Sequence, residues 1–346
     1  MAGGSVLAAG GGGWVEHGYL VGRTAISYGT PRLAALDEVA DDATIATVSA
    51  IGAPAARGWE MRPSDYVRAL ALLIEALDEP VVGTITAQNG SSTTCNGWVQ
   101  SAVLGTVVID AAGDGRAHPT GKMGSLGLAA DPDYRTVQAA AGGNRAQDRY
   151  LEVVTRGSVR HTANVLRAAA VASGGFIAAA RNPLPAAYVR EHGAVGAISF
   201  ALRLGEAILE AEPRGAETTV DAITAVLGGR ILGRGTVRRK RLRTEGGFDV
   251  GGLVVGELEI DFVNEYMTVE AAGQRLATFP DVIATLSSGN GRPVSIADIS
   301  EGEEVAVLAV DKSLVPLGAG VKEPSVYPEV EEMLGKEIAA QALAWR

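Results

Sequence analysis

Apolar residues recur along the first 110 positions in two alternating rhythms. Short apolar or β-branched runs at 5–9 (Ser-Val-Leu-Ala-Ala), 43–49, 80–86 and 107–109 have the composition of buried strands. Between them, 19–28, 64–77 and 92–104 carry helical spacing. In the second of these, Val67, Leu70, Leu72, Leu73, Ile74 and Leu77 form the apolar stripe, and Ser64 is placed to cap it. Strands that alternate with helices predict a parallel sheet covered on both faces.

Beyond Gly157 the rhythm changes. Two helices are expected at 159–172 and 194–211, around a short strand near 176–179. Residues 229–312 then read as mostly β, with runs at 230–232, 236–243, 253–263, 282–286 and 304–310. Glycine-rich turns such as Gly246-Gly247 and Gly251-Gly252 separate them. A closing helix is expected at 329–345. The expected architecture is α/β: a mostly parallel sheet with flanking helices over 1–156, and a second, β-rich domain with helices over 157–346.

Composition narrows the partners. The chain has 346 residues, 47% of them hydrophobic, enough for two cores. A net charge of −10 argues against polyanion binding, so no nucleic-acid partner is expected. The basic run Arg238-Arg239-Lys240-Arg241, with Arg243, reads instead as protection of a strand edge. No apolar run has membrane-spanning length, so no membrane association is expected. A single cysteine, Cys95, rules out an internal disulfide framework and fits a reducing compartment. The opening segment lacks a basic stretch followed by a sustained apolar one, so the expected location is cytoplasmic. A homo-oligomer is expected.

Four glycines, Gly10 to Gly13, raise the question of a phosphate-binding turn. The dinucleotide fingerprint needs G-x-G-x-x-G. Here Gly10 and Gly12 are followed by Val15, and Gly11 and Gly13 by Glu16, so neither frame completes it. No Gly-Lys-Ser/Thr follows either. No NAD, FAD or ATP is therefore expected. The run is either a turn that needs positive φ or a loop that offers backbone N–H groups to an anion or carbonyl.

Position sharpens this. Ligands of an open parallel sheet sit beyond the carboxyl ends of its strands. Those ends are expected at 10–13, 52–54, 88–92 and 110–118, three of them rich in glycine and small polar residues. That clustering points to a small-molecule substrate. Asp110 at a strand end is either a turn cap or a site acid, and Arg116 either its structural partner or a clamp for a substrate carboxylate. His118 is a candidate acid–base group, weighed against an ordinary loop histidine, and His17 is a weaker one. Gly11, Gly12, Gly13, Gln88, Asn89, Ser91 and Ser92 are candidate binding residues, with Asn264 and Glu265 reaching the cleft from the second domain. Cys95, expected where a helix begins, is either a thiol activated by that helix or a small buried residue. A divalent metal stays open, since no spacing of His or Cys supports one.

Taken in order, these loops resemble the S-methyl-thiohydantoin desulfurase family. The resemblance rests on Gly10 to Gly13, Gly52-Ala53-Pro54, Leu104-Gly105 before Val108-Ile109-Asp110, and Gly115-Arg116-Ala117-His118-Pro119. It continues through Gly174-Gly175, Gly247-Phe248 with Gly251, Phe262-Val263-Asn264-Glu265 and Phe279-Pro280-Asp281-Val282-Ile283. It implies hydrolytic attack on a five-membered cyclic amide or thioamide ring. There are departures. Where the family carries a carboxylate and Gly-Gly after the third strand, this chain has Gln88 and Gly90-Ser91; a second acid is replaced by Ala112, and an aromatic residue before Pro119 by His118.

The expected function is that of a hydrolase acting on a small cyclic amide, imide or thiohydantoin-like ring. His118 or Asp110 would activate water, Arg116 would orient the substrate, and the glycine loop would stabilise developing charge. The alternative is a non-catalytic small-molecule binder or the partner subunit of a hydantoinase-like system.

Overall fold

The computed structural model describes residues 1–345 and contains two sheets. The first has eight strands: β1 (Leu33–Ala34), β2 (Thr44–Gly52), β3 (Val81–Thr86), β4 (Val107–Ala112), β5 (Thr136–Gly142), β6 (Leu151–Gly157), β7 (Phe176–Pro185) and β8 (Ala194–Val195). Their order is β1-β4-β3-β2-β7-β5-β6, with β8 on β4. The half from β1 to β2 is parallel, as the strand–helix alternation predicts. From β2 onward, through β7 and β5 to β6, pairing is antiparallel.

The second sheet is antiparallel throughout. Its strands are β9 (Arg230–Glu245), β10 (Phe248–Val255), β11 (Leu258–Val263), β12 (Glu265–Ala271), β13 (Gln274–Thr278), β14 (Val282–Ser287), β15 (Pro293–Val294) and β16 (Glu304–Val310). They run β13-β12-β11-β10-β9-β16-β14-β15. The single run expected at 253–263 is split by a tight turn at Gly256, whose φ is +56°. Arg238 to Arg243 lie on β9, flanked by β10 on one side. On the other side β16 covers only Arg230 to Thr236, and beyond it the Lys240 N–H donates to the Glu301 carboxylate.

Ten helices complete the chain: α1 (Ala2–Leu7), α2 (Val15–Tyr28), α3 (Pro63–Glu75), α4 (Trp98–Leu104), α5 (Val159–Ala172), α6 (Ala186–His192), α7 (Ala197–Ala211), α8 (Ala216–Leu227), α9 (Pro328–Leu334) and α10 (Ala339–Ala342). In α3 the stripe residues Leu70 and Leu73 are fully buried, each contributing about 1.5–3 kcal/mol. Among the described residues no helix is long and apolar enough to cross a membrane.

Four local expectations are corrected. Residues 5–9 are not a strand; they continue α1 and its last turn. A short apolar run does not distinguish a strand from a buried helical segment. Here helix wins because Gly3 lets α1 approach α7 so closely that a Cβ would sit 2.0 Å from the Ala201 carbonyl. Ser64 does not cap α3. Arg62 is the N-cap, and Asp65 reaches back to its N–H at 2.8 Å, with Pro63 in the first turn. The helix expected from 92 begins as a 3₁₀ turn, Thr93–Cys95, and α4 starts only at Trp98, after Gly97 at φ +94°. The closing helix is broken at Gly335, φ +66°, into α9 and α10.

Candidate active site

The glycine run follows α1 and is held from both sheets. Tyr266 N–H donates to Ala9 O and Ile296 N–H to Gly10 O, both at 2.8 Å, while Ser92 N–H donates to Gly12 O at 3.0 Å. Gly12 and Gly13 have φ of +68° and +83°. A Cβ on Gly13 would lie 2.0 Å from Ser92 Oγ, and one on Gly12 2.7 Å from the Gly90 Cα. The run needs glycine twice over, for positive φ and for the close approach of the loop after β3.

A cavity opens beside it, where the glycine loop, β2, β7, α5, the segment after β4 and the start of β12 converge. Gly12, Gly13, Gln88, His118, Asn264 and Glu265, all singled out from the sequence, line it. So do Arg167, Arg181, Ser49, Thr93, Lys122 and Glu329, which sequence reasoning missed. Five polar atoms of this lining are buried without a hydrogen-bond partner: Ser49 Oγ, Thr93 Oγ1, His118 Nδ1, Arg181 Nε and Glu265 Oε2. Buried polar groups are normally satisfied, so these five are open to a partner from outside the chain, water or a ligand.

His118 Nε2 lies 3.2 Å from the Ala87 carbonyl. A carbonyl can only accept, so Nε2 carries the proton and Nδ1, which has no hydrogen-bond partner, keeps its lone pair. Gly124 makes room for the ring, since a Cβ there would sit 2.5 Å from Nε2. Burial, helped by the charges of Arg181 and Arg116, lowers the imidazole to about 3. The backbone N–H of His118 donates to Gln88 Oε1 at 3.0 Å, so Gln88 positions the segment.

Glu265 is 2% exposed. Its Oε1 accepts from Gly12 N–H at 3.4 Å. Burial pushes its carboxyl up to about 8, against the pull of Arg116, the Gly12 N–H and Arg167. It is therefore mostly protonated at neutral pH. Arg181 is 4% exposed, and its side chain makes no hydrogen bond or ion pair among the described residues. Burial, then the like charge of Arg167, lowers it to about 10, so it stays cationic. Arg167 donates to the carbonyls of Gly52, Gly247 and Pro119 and stacks its guanidinium 4.2 Å from the Phe248 ring centroid. Asn264, at φ +57°, is fixed by its side-chain oxygen, which accepts from Asp249 N–H at 2.9 Å. Two guanidinium groups facing one largely neutral acid and one neutral imidazole make a cavity suited to an anion.

The remaining candidates lie elsewhere. Asp110 sits within β4, and its Oδ1 accepts from Ile198 and Ser199 N–H at 3.0 and 2.9 Å, while Oδ2 accepts from the Ser199 hydroxyl at 2.6 Å. It caps α7 and stands outside the cavity lining. Arg116 is completely buried and donates to the carbonyls of Ala117, Asp281 and Tyr266. Asp110, Arg116 and His118 are thus not brought together. Asn89 Nδ2 donates to Ala197 O, and Ser92 supports the glycine loop. Gly11 and Ser91 line a separate groove, with His17 and the stacked pair Trp14 and Trp59. Burial pushes the Cys95 thiol up, which disfavours the thiolate. Among the described residues, no group of three or more His, Cys, Asp and Glu is arranged to hold a metal ion.

Two family models match the sequence: the S-Me-THD-like N-terminal domain over residues 1–149 and the S-Me-THD-like C-terminal domain over residues 158–315. The chain belongs to the S-methyl-thiohydantoin desulfurase-like family. A search of curated proteins returned no match. Among solved structures, a crystal structure of a protein from Chromobacterium violaceum is similar at 24% identity and a TM-score of 0.71, with 96% of this chain and 94% of that one covered. That likeness shows the fold. Membership in the S-methyl-thiohydantoin desulfurase-like family agrees with the resemblance read from the loops, and the family name ties the chain to thiohydantoin-related chemistry.

Proposed function

We propose that the chain is a hydrolase that releases a thiol from a five-membered, thiohydantoin-like ring bearing an anionic group. The observation that carries this reading is the buried, unpaired guanidinium of Arg181 in one cavity with His118 Nδ1 and Glu265 Oε2. An arginine buried without a carboxylate is costly unless an anion completes it.

The chemistry follows from the two titratable groups. Water adds to the ring carbon that bears sulfur, and its proton passes to His118 Nδ1 while the C=N electron pair moves to the ring nitrogen. The adduct collapses, the double bond re-forms, the C–S bond breaks, and the departing thiolate takes the proton of Glu265. The product ring is first an imidic acid, whose hydroxyl proton moves to the ring nitrogen to give the cyclic amide. Solvent returns the His118 proton to Glu265, leaving the amide and a thiol. A carboxyl raised to about 8 suits an acid working near neutrality. Burial is the main cause that holds His118 low, and the charges of Arg181 and Arg116 add to it; a bound anion offsets only that added part and raises the basicity of Nδ1. Arg181 takes the substrate-orienting role expected of Arg116, whose donors are spent on carbonyls.

The test is release of methanethiol from an S-methyl-thiohydantoin with a carboxylate arm, followed with a thiol-reactive dye. Parent protein is expected to release thiol, Glu265→Gln and His118→Ala to lose about 10²–10⁴-fold in rate, and Asp110→Asn to keep it. Tight binding of ring without release would shift the reading to a non-catalytic binder. Absence of both would refute the site.

A further inference from the structure

The cavity holds one more cation, and it is already occupied. Lys122, in the segment after β4, and Glu329, in the first turn of α9, both line the cavity and form an ion pair at 2.5 Å. They are 207 residues apart in sequence. The two partners are unequally placed: the Lys122 side chain is 11% exposed and that of Glu329 37%. Removing the carboxylate would strand a mostly buried ammonium, whereas removing the ammonium would leave a carboxylate that water can reach. The pair is therefore one in which a different anion could take the place of Glu329 without stranding either charge. Arg181, in the same cavity, has no carboxylate at all.

We propose that Glu329 is a resident competitor, holding at Lys122 the position that an anionic group of the ligand takes when it enters. The inference rests on the anion-binding reading above. A neutral ring leaves the Lys122–Glu329 pair in place, so it gains nothing there. An anionic ring displaces Glu329 into solvent and gains Lys122 as an additional contact. Glu329 thus weakens the binding of every anion by the strength of its own ion pair, and it rejects those too weakly held by Arg181 to displace it. Its charge also acts on Arg167 from the same wall.

Calorimetry with hydantoin-5-acetate and its neutral amide tests this on the full chain at pH 7. Glu329→Gln is expected to bind the acetate roughly two- to fivefold more tightly, the range of a partly exposed ion pair, and the amide unchanged. Lys122→Met is expected to bind the acetate more weakly and to abolish the effect of Glu329→Gln in the double variant. Lys122→Gln serves the same cycle should Lys122→Met melt early. Unchanged or weaker acetate binding by Glu329→Gln overturns the inference. So does equal tightening in the Lys122→Met background, which would assign the effect of Glu329 to Arg167 at a distance. Measurable acetate binding, equal in parent and Glu329→Gln, leaves the anion site standing and removes only the competitor. Failure of parent and Glu329→Gln alike to bind either ligand overturns both.

Discussion

Arg116 and Arg181 are both arginines withdrawn from water, and their surroundings differ in one respect. Arg116, 0% exposed, donates to three carbonyls, two of them on Asp281 and Tyr266 of the second sheet's region, and lies 4.6 Å from the Phe279 ring centroid. Arg181, 4% exposed, has an orphaned Nε and meets another guanidinium where a carboxylate would be expected. The first spends its donors joining the two sheets. The second keeps its donors for something the chain does not supply. Burial alone does not mark a functional arginine; burial together with unspent donors does.

The largest effect that would test this contrast is on stability. Arg116→Met leaves three carbonyls without their donor and is expected to cost about 3–5 kcal/mol in urea unfolding. Arg181→Met loses no internal bond, relieves repulsion with Arg167, and should unfold at the same urea concentration as the parent or a higher one. Equal losses in the two variants would erase the distinction.

Ligand binding should reverse the order. Arg181→Met is expected to weaken hydantoin-5-acetate by roughly 10–100-fold, the worth of charge-assisted hydrogen bonds, with a much smaller change for the neutral amide. Similar losses for both ligands would make Arg181 a wall of the cavity and not its anion contact.

A third measurement uses pH. Glu265 is raised from 4.5 to about 8, so the native state holds its proton more tightly than the unfolded chain. Its contribution to stability is full below about 4.5 and is lost as pH rises towards 8. His118, lowered from 6.5 to about 3, acts in the opposite sense: its contribution is full above 6.5 and fades as pH falls towards 3. Glu265→Gln should therefore flatten the fall in Tm between pH 5 and 8 by a few degrees, roughly, while His118→Asn flattens the acid side. Parallel Tm curves for parent and Glu265→Gln would mean that the carboxyl titrates normally.

The smallest effect is expected at Asp110. Asn is also a good cap, so Asp110→Asn should lose less than about 1 kcal/mol and leave thiol release unchanged. A large loss of turnover with an intact melting curve would return Asp110 to the chemistry.

The sequence carried half of this site in readable form. Glycines crowded at loop starts, a histidine between small residues, and Asn264-Glu265 directly behind an apolar strand all stood out against their neighbours. Of these, Gly12, Gly13, His118, Asn264 and Glu265 line the cavity. Asp110 stood out for the same reason, a charge ending an apolar run, yet it serves a helix start 88 residues away in sequence. Arg181 carries that very signal too, at the end of Phe-Ile-Ala-Ala-Ala-Arg, but the apolar run alone predicts a strand ending at 179, whereas β7 continues to Pro185. The antiparallel half of the first sheet was hidden for a related reason. β5 reads Thr-Val-Gln-Ala-Ala-Ala-Gly, and alanine favours helix, so only its neighbours in the sheet make it a strand. Where a charge points depends on pairing partners distant in sequence, which local pattern does not contain.

The attachment of residues 9–13 has a consequence for biosynthesis. Ala9 and Gly10 are made long before Tyr266 and Ile296, whose N–H groups hold their carbonyls. The ribosome must add more than 280 further residues before the second of these bonds can form. Ala9 and Gly10 are thus fixed late, whereas Gly12, held by the Ser92 N–H, can be placed far earlier. A fragment ending near residue 149 should build the parallel strands and keep the Ser92 bond to Gly12, yet lack both bonds that hold Ala9 and Gly10.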